Sequence, residues 1–342
     1  MVTSSTMRAW TITCIGCVSV DSAPLTLQIL PRPVPGPHEV RIKVTTCGVC
    51  HTELDEIEGR TPPPRLPVVP GHEVVGHIDM AGSAVTRWTL GERVGVGWIH
   101  HSSGSRTENL SSDFCATGRD VDGGYAEYMI AHQDYTYRIP SAFSDAQAAP
   151  LLCAGAVGYR ALMLAGLKNG QRLGLMGFGG SNHLVLQMAL CLFPDSGIFV
   201  FARDAASRRF ATELGAAWSG DINEASPDAL DAIIDTTPVW TPVVAALANL
   251  APGGRLIINA IRKEDTDRSV LSEIVYHQHL WMEREIKTVA NITHDDLQTF
   301  LPLAAPFSVQ PHVQAYEFGD ANRAVCELKF QNVRGAKVLL IS

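Results

Sequence analysis

The chain has 342 residues, of which 46% are hydrophobic and 18% charged, and its formal net charge is −8. Single hydrophobic cores stop growing at roughly 250–300 residues, so two domains are expected. The acidic balance argues against nucleic acid or an anionic membrane as a partner, and no apolar run approaches the length that spans a bilayer.

The cysteine content and the N-terminal residues give an expectation for the cellular compartment of the protein. Eight cysteines in a chain of this size do not predict a disulfide scaffold. Residues 1–14 lack a charged region followed by a long apolar segment, so no signal peptide is expected. We therefore expect a reduced, cytoplasmic setting.

Residues 7 to about 150 contain short β-type segments separated by glycine and proline. This spacing predicts an antiparallel, barrel-like domain. The predicted strands are RAWTIT, LTLQIL, EVRIKVTT, EVVGHIDM, RVGVGW and YAEYMIA.

From Ala146 the pattern changes to a helix and then to alternating strands and helices. Strands are predicted at residues 172–176, in the run IFVF, and at residues 231–237, 254–261 and 285–291. Together they indicate a doubly wound α/β domain with a six-stranded parallel sheet and helices on both faces.

A glycine-rich turn follows the first of these strands and precedes an apolar-periodic helix. Gly177, Gly179, Gly180 and Ser181 form this turn. Glycines let the backbone approach a pyrophosphate, which then lies at the helix N-terminus, so the turn predicts a dinucleotide site. Asn182 replaces the last glycine of the motif and is expected to loosen the contact between helix and strand. A merely tight turn is the structural alternative.

The end of the second strand bears on the choice of cofactor. Ala202 occupies the position where an acidic residue would bind the ribose of NAD. With Arg203 and Arg208 nearby, the sequence slightly favours NADP(H) over NAD(H), although Asp204 leaves NAD(H) open.

Candidate metal ligands are concentrated between residues 47 and 76. Cys50 supplies a thiolate, His72 an imidazole and Glu73 a carboxylate, and Cys153 is the candidate for a distant third ligand. Sulfur and imidazole suit Zn²⁺, and three protein ligands leave a position for water or substrate. Taken singly, such a cysteine or histidine is more often an ordinary buried or surface residue.

The segment around His72 resembles the signature of zinc-dependent medium-chain alcohol dehydrogenases, in particular the cinnamyl and primary-alcohol branch. The signature G-H-E-x-x-G-x5-G-x2-V is matched by Gly71, His72, Glu73, Gly76, Gly82 and Val85. The likeness runs from about Met7 to the C-terminus. It implies a barrel-like (GroES-like) catalytic domain over 1–150, a Rossmann cofactor domain over 151–290, and a return to the catalytic domain over 291–342.

The resemblance also assigns roles at the metal. It makes Cys50, His72 and Cys153 the zinc ligands, and it places Glu73 close behind the metal, either as an outer neighbour of the ligands or as a transient ligand. Glu53 stands where relatives use Asp to orient the ligand histidine.

Further roles concern the proton, the cofactor and the substrate. Thr52 would take the proton from the substrate, and Asp55 stands where relatives often have an outer relay histidine. His51 matches a position that contacts the cofactor pyrophosphate, with a plain surface histidine as the alternative. Trp98 matches a pocket-lining position, and Thr61 replaces a tryptophan of a narrow-pocket relative, which implies room for an aromatic or medium-chain substrate.

Many relatives carry a second, structural zinc held by four cysteines. Here Ser103 and Ser111 replace two of them, the segment between is shortened, and Cys115 alone cannot substitute. We therefore expect one zinc per chain.

The implied activity is reversible hydride transfer between a primary alcohol, or its aldehyde, and NAD(P), with zinc as a Lewis acid. A homodimer or homotetramer is expected. The alternatives are a zinc polyol or sugar dehydrogenase, a catalytically silent nucleotide-binding relative, and a zinc-free quinone or enone reductase.

Overall fold

The computed structural model describes residues 5–307, 309–331 and 334–341. The chain divides into two compact units. Unit 1 comprises Met1–Cys153, Ile292–Ala305 and Pro311–Ser342, and unit 2 comprises Ala154–Asn291 and Pro306–Gln310.

Unit 1 is rich in short strands, as the alternating segments predict. Its strands are β1 (Thr6–Thr11), β2 (Thr26–Pro31), β3 (Glu39–Val49), β4 (Val74–Ala81), β5 (Arg93–Val96), β6 (Ile99–His101), β7 (Cys115–Ala116), β8 (Tyr128–His132), β9 (Thr136–Arg138), β16 (Val313–Glu317) and β17 (Ala336–Leu340). Its helices are α1 (His51–Ile57), α2 (Asp145–Ala148), α7 (His294–Ala304) and α8 (Ala321–Phe330).

The main sheet of unit 1 has the strand order β16-β17-β3-β4-β5-β9, and β8 also pairs with β3. Most of these pairs are antiparallel, whereas β16 and β17 run parallel. In β3 the burial alternates at first and then becomes continuous toward Val49. The chain therefore leaves β3 inside the core, and α1 begins there.

Unit 2 alternates strands and helices from α3 (Ala154–Ala165) onward. The elements that follow are β10 (Leu173–Met176), α4 (Asn182–Leu192), β11 (Ile198–Phe201), α5 (Ala205–Glu213), β12 (Trp218–Gly220), β13 (Leu230–Asp235), α6 (Thr241–Asn249), β14 (Leu250–Ile258) and β15 (Glu285–Thr288).

The six strands of unit 2 form one parallel sheet in the order β12-β11-β10-β13-β14-β15. The order reverses at β10, as in doubly wound folds that bind dinucleotides there. Every residue of β10 and of β11 is buried, which explains their continuous apolar runs. The predicted α/β fold class is confirmed.

Within the described ranges, no single helix combines the length and apolar composition needed to cross a membrane. In the same part of the chain, the consecutive segments Asp145–Leu152 and Ala154–Ala165 reach this length and composition when they are taken together as a bent pair.

A buried carboxylate anchors the segment between β6 and β7. Glu108 is 1% exposed. Its Oε2 accepts a hydrogen bond from Tyr135 Oη at 2.7 Å, and its Oε1 accepts one from the backbone N–H of His294, the first residue of α7, at 2.5 Å. The favourable field at a helix N-terminus adds to the second contact. Glu108 thus fixes this segment to the return segment of unit 1.

We expect Glu108→Ala to lower the free energy of unfolding by about 2–5 kcal/mol, because it leaves two buried donors without an acceptor. Urea unfolding followed by circular dichroism measures the change. Asp113→Ala, at an exposed site in the same segment, is the matched control and should change stability by less than about 0.5 kcal/mol. Equal effects of the two substitutions would contradict the anchoring role.

Candidate metal centre

The first helix begins at the metal site. Cys50 is the N-cap of α1, and its backbone N–H donates to Glu53 Oε2 at 2.7 Å. This is the return half of a capping box, in which the third helical residue closes the helix start. The thiol of Cys50 is thereby held at the end of β3 and the beginning of α1.

The second oxygen of Glu53 holds the imidazole of His72. Glu53 Oε1 lies 2.7 Å from His72 Nδ1, and both side chains are 1% exposed. His72 Nε2 is buried and has no hydrogen-bond partner. A carboxylate this close to Nδ1 favours the proton on that nitrogen and leaves the lone pair of Nε2 for a ligand, which is the arrangement of a metal-ligating histidine.

Four potential ligand atoms meet in unit 1. One donor atom from each of Cys50, His72, Glu73 and Cys153 lies within 4.8 Å of the other three. Two sulfurs, one imidazole nitrogen and a carboxylate oxygen form a donor set that suits Zn²⁺. The residues therefore fit the metal that the sequence predicts.

The four side chains of this group shift one another's pKa. The pKa of the Cys50 thiol lies well below its ordinary value, because Cys153 donates a hydrogen bond to it and His72 lies beside it. The same contact, together with burial, raises the pKa of Cys153, and burial beside Cys50 raises that of Glu73. Burial opposes the charged form of His72, but Glu53 and Cys50 outweigh it and raise the pKa of His72. Metal binding to such a group releases protons.

Two glycines make room for these side chains. A Cβ atom on Gly48 would lie 1.8 Å from Glu73 Oε2, and one on Gly71 would lie 2.4 Å from Tyr125 Cδ1. Gly71 also has a φ of +100°, which favours glycine. The glycines of CGVC and PGHE therefore serve close packing behind the metal site.

The other residues predicted on α1 lie at different depths. Thr52 is buried, and its Oγ1 is 3.6 Å from Cys50 Sγ. Asp55 is also buried, and its Oδ1 accepts a hydrogen bond from Arg60 Nε at 2.6 Å. His51, the first residue of α1, is exposed.

Trp98 lies beside the metal ligands. Its ring centroid is 6.0 Å from that of His72 and 5.5 Å from that of Phe114, and the Arg119 guanidinium lies 5.8 Å from the indole. The indole Nε1 and the hydroxyl of Thr61 are buried and have no hydrogen-bond partner. Both residues of the predicted pocket thus carry a buried polar atom without a hydrogen-bond partner.

The glycine-rich turn of unit 2 has the conformation that its sequence predicts. Gly177 has a φ of +78°, and a Cβ atom on Gly179 would meet no atom within 4 Å. Gly180 and Ser181 complete the turn, after which α4 begins. The hydroxyl of Ser181 donates to Ala154 O at 3.0 Å. The open space at Gly179 and the helix N-terminus fit a dinucleotide pyrophosphate.

Asn182 binds the turn to the sheet. Its Nδ2 donates to Met176 O at 3.0 Å, to Gly177 O at 2.8 Å and to Thr236 Oγ1 at 3.1 Å. The expectation that this residue loosens the contact between helix and strand is therefore wrong, because the two amide hydrogens, shared among three acceptors, replace the close approach of a glycine.

The charged residues after β11 differ in their hydrogen bonds and exposure. Asp204 caps α5 and accepts hydrogen bonds from Ser207 N at 2.8 Å and Ser207 Oγ at 2.7 Å. Arg208 Nη1 donates to Ala202 O at 2.6 Å and to Arg203 O at 2.9 Å. The side chain of Arg203 is exposed.

Comparison with known proteins assigns the family. Residues 36–141 match the alcohol dehydrogenase GroES-like domain. A probable alcohol dehydrogenase of Mycobacterium tuberculosis is 39% identical over 350 aligned residues, which cover 99% of each chain. The chain belongs to the medium-chain alcohol dehydrogenase family.

Other members of the family agree with this assignment. A probable cinnamyl alcohol dehydrogenase of Populus deltoides is 37% identical over 72% of this chain and 74% of its own. The solved structure of a cinnamyl alcohol dehydrogenase from Sorghum bicolor has a TM-score of 0.82 and 25% identity, covering 98% of this chain and 97% of that one. The predicted family and activity class are confirmed: the chain is an alcohol dehydrogenase or aldehyde reductase.

The segment in which the sequence analysis expects no second zinc site lies between β6 and β7. Ser103 Oγ lies 3.1 Å from Ser105 Oγ, and Ser111 Oγ accepts from Asp113 N at 3.1 Å. Cys115 is half-buried in β7. Within the described parts of the chain, the group around Cys50 is the one set of three or more His, Cys, Asp or Glu donors close enough to share an ion.

Some residues near the site carry signals that sequence reasoning missed. The spacing Cys50–Glu53 is that of a capping box, and it predicts the start of α1. Arg60, five residues after Asp55, had no assigned role, although it pairs with that carboxylate. The neighbours of Trp98, Phe114 and Arg119, are distant in sequence, and no local pattern indicates them.

We expect Glu53→Gln to weaken zinc binding by roughly 10–100-fold, because the carboxylate no longer fixes the tautomer and orientation of His72. Competition with a chromophoric chelator measures the zinc affinity. Glu58→Gln, at the C-cap of the same helix, is the control, since Glu58 contacts Arg60 and Lys329 and not His72. A zinc affinity that Glu53→Gln leaves unchanged would contradict the orienting role.

Proposed function

We propose that the chain is a zinc-dependent alcohol dehydrogenase or aldehyde reductase that acts on primary alcohols, or their aldehydes, with NAD(P). The observation that carries this proposal is the convergence of Cys50, His72, Glu73 and Cys153 within 4.8 Å. The family assignment and the glycine-rich turn of unit 2 support it.

The residues around the metal have distinct tasks. A bound zinc ion supplies Lewis acidity toward the substrate oxygen, and the nicotinamide supplies or accepts the hydride. Cys50, His72 and Cys153 hold the ion. Glu53 keeps the ring of His72 in place, and Glu73 offers a transient fourth ligand during exchange of substrate and water.

The proton of the alcohol needs a path to solvent. We assign its first transfer to Thr52 Oγ1, beside Cys50, and a later transfer to the carboxylate of Asp55. Arg60 already donates to Asp55 Oδ1, so the carboxylate accepts a proton in competition with a guanidinium. His51, exposed at the start of α1, is assigned to the cofactor pyrophosphate.

The substrate pocket is assigned to Trp98 and Thr61. The indole offers an apolar face to an aromatic or medium-chain substrate, and a threonine at position 61 leaves more room than a tryptophan. The unpartnered Thr61 hydroxyl and Trp98 Nε1 favour a second candidate, a zinc polyol or sugar dehydrogenase, whose substrates carry further hydroxyl groups.

Residues after β11 support a preference for NADP(H) over NAD(H). Asp204, the acidic residue nearest the ribose position, is engaged as the cap of α5, and Arg208 binds backbone carbonyls. The exposed Arg203 is therefore the cation that we assign to the 2′-phosphate. Gly177, Gly179, Gly180 and Ser181 are assigned to the pyrophosphate.

Several wider predictions belong to this proposal. The segments 1–150, 151–290 and 291–342 serve as catalytic domain, cofactor domain and return, and each chain binds one zinc in a cytoplasmic setting. The edge strand β15 is exposed throughout, and exposed Trp281 and Met282 precede it in the chain. An open edge of this kind can pair with a second copy, which supports a homodimer or a homotetramer built from dimers.

We expect Cys50→Ser to reduce turnover by at least about 100-fold and to lower zinc content, because a serine hydroxyl is a poor ligand for zinc. Metal analysis should find one zinc per chain in the unmodified protein. Cys17→Ser, at an exposed cysteine of unit 1, is the control. Retained turnover in Cys50→Ser, with circular dichroism unchanged, would refute the Lewis-acid role.

We expect Arg203→Ala to lower kcat/KM for NADPH by roughly 10-fold while kcat/KM for NADH changes less than about 2-fold, since a charge-assisted contact to the phosphate contributes about 1.5–3 kcal/mol. Initial rates with both cofactors and one aldehyde give the ratio. Arg209→Ala, at the exposed arginine on α5, is the matched control. An unchanged ratio of kcat/KM for NADPH to kcat/KM for NADH would contradict the assignment of Arg203 to the cofactor site.

A further inference from the structure

A buried ion pair lies at the carboxyl end of the parallel sheet of unit 2. Asp235, the last residue of β13, is fully buried, and Lys263 Nζ contacts its Oδ2. The ammonium also donates to Thr237 O at 2.8 Å and to Val239 O at 3.0 Å. All three N–H groups of Lys263 therefore have protein acceptors.

The other carboxylate oxygen of Asp235 binds the same loop. Asp235 Oδ1 accepts hydrogen bonds from Thr237 N at 2.9 Å and from Thr237 Oγ1 at 2.7 Å. Residues 236–239 are thus held from both sides, by a carboxylate that accepts and an ammonium that donates.

This loop lies against the glycine-rich turn. Met176 at the end of β10 is in register with Asp235, and its carbonyl accepts from Thr236 N at 3.1 Å. A Cβ atom on Gly177 would lie 2.9 Å from Thr237 Cγ2. Asn182 donates to Thr236 Oγ1 at 3.1 Å and so joins the helix that follows the turn to the same loop.

The free-energy cost of burying the charges of Asp235 and Lys263 bears on the role of this ion pair. Burial of an ion pair often stabilises a fold no better than apolar residues of the same volume would. A buried lysine with three acceptors in fixed positions does, however, determine one loop geometry, which an apolar side chain does not. The geometry that it determines here lies at the topological switch point of the sheet, where ligands of such folds bind.

We propose that Lys263 is a positioning residue for the dinucleotide: through Asp235 and the carbonyls of Thr237 and Val239, it holds the loop 236–239 against Gly177 in the form that the cofactor requires. This inference rests on the proposed use of NAD(P). Lys263 itself does not contact the cofactor phosphate in this assignment, because its donors are engaged.

The test compares Lys263→Met with the double variant Asp235→Asn, Lys263→Met. The single variant leaves a buried carboxylate without its partner and should lower the melting temperature strongly. The double variant removes both charges and should recover most of that loss. In the double variant the dissociation constant of NADPH, measured by quenching of tryptophan fluorescence, should rise about 10-fold, while kcat at saturating NADPH stays within about 2-fold.

Lys168→Met, at an exposed lysine of unit 2, is the control and should leave NADPH binding unchanged. A double variant that binds NADPH as tightly as the unmodified protein contradicts the proposal. So does a double variant as unstable as the single one, because the pair would then serve the fold. Failure of the unmodified protein to bind NADPH or NADH would instead contradict the proposed function.

Discussion

The site depends on one carboxylate that joins two separate parts of the chain. Glu53 binds the backbone N–H of Cys50 with one oxygen and His72 Nδ1 with the other. The first contact closes the start of α1, and the second fixes an imidazole that arrives 22 residues beyond Cys50 (72 − 50 = 22). A backbone hydrogen bond from Gly48 N to Glu73 O, at 2.9 Å, joins the same two segments, and Glu53 adds the side-chain contact between them. Burial to 1% exposure keeps water from competing for either contact.

The same principle recurs in unit 2, where buried polar groups fix loops at the end of the sheet. Asn182 binds the glycine-rich turn, and Asp235 with Lys263 binds the neighbouring loop. In both units the surrounding strands supply rigid ends, and side-chain hydrogen bonds set the exact course of the chain between them. In both units these polar contacts thus lie where regular structure ends.

Much of this architecture could be predicted from the sequence. The buried strands of unit 2 are continuous apolar runs, and the order of Gly177, Gly179 and the helix that follows indicates the nucleotide turn. Cys50 and His72 are identified by their own neighbours in CGVC and GHE. Cys153 has no such local signal: it is a candidate because a third ligand is needed, and the resemblance to the family supports that choice.

Other features depend on contacts that no local pattern encodes. The pairing of Asp55 with Arg60 and the three hydrogen bonds of Asn182 depend on side-chain directions in the folded chain. The interpretation of Asn182 as a loosening substitution failed because it considered the size of the residue and not its donors. Lys263 lies 28 residues from Asp235 (263 − 235 = 28), in a segment with no motif.

X-ray absorption at the zinc edge of the purified protein tests the central claim most directly. We predict one zinc environment with two sulfur ligands at about 2.3 Å and nitrogen or oxygen ligands at about 2.0–2.1 Å. Loss of one sulfur from this shell in Cys153→Ser would tie the signal to these residues. A zinc shell of nitrogen and oxygen alone, or one with four sulfurs, would contradict the account.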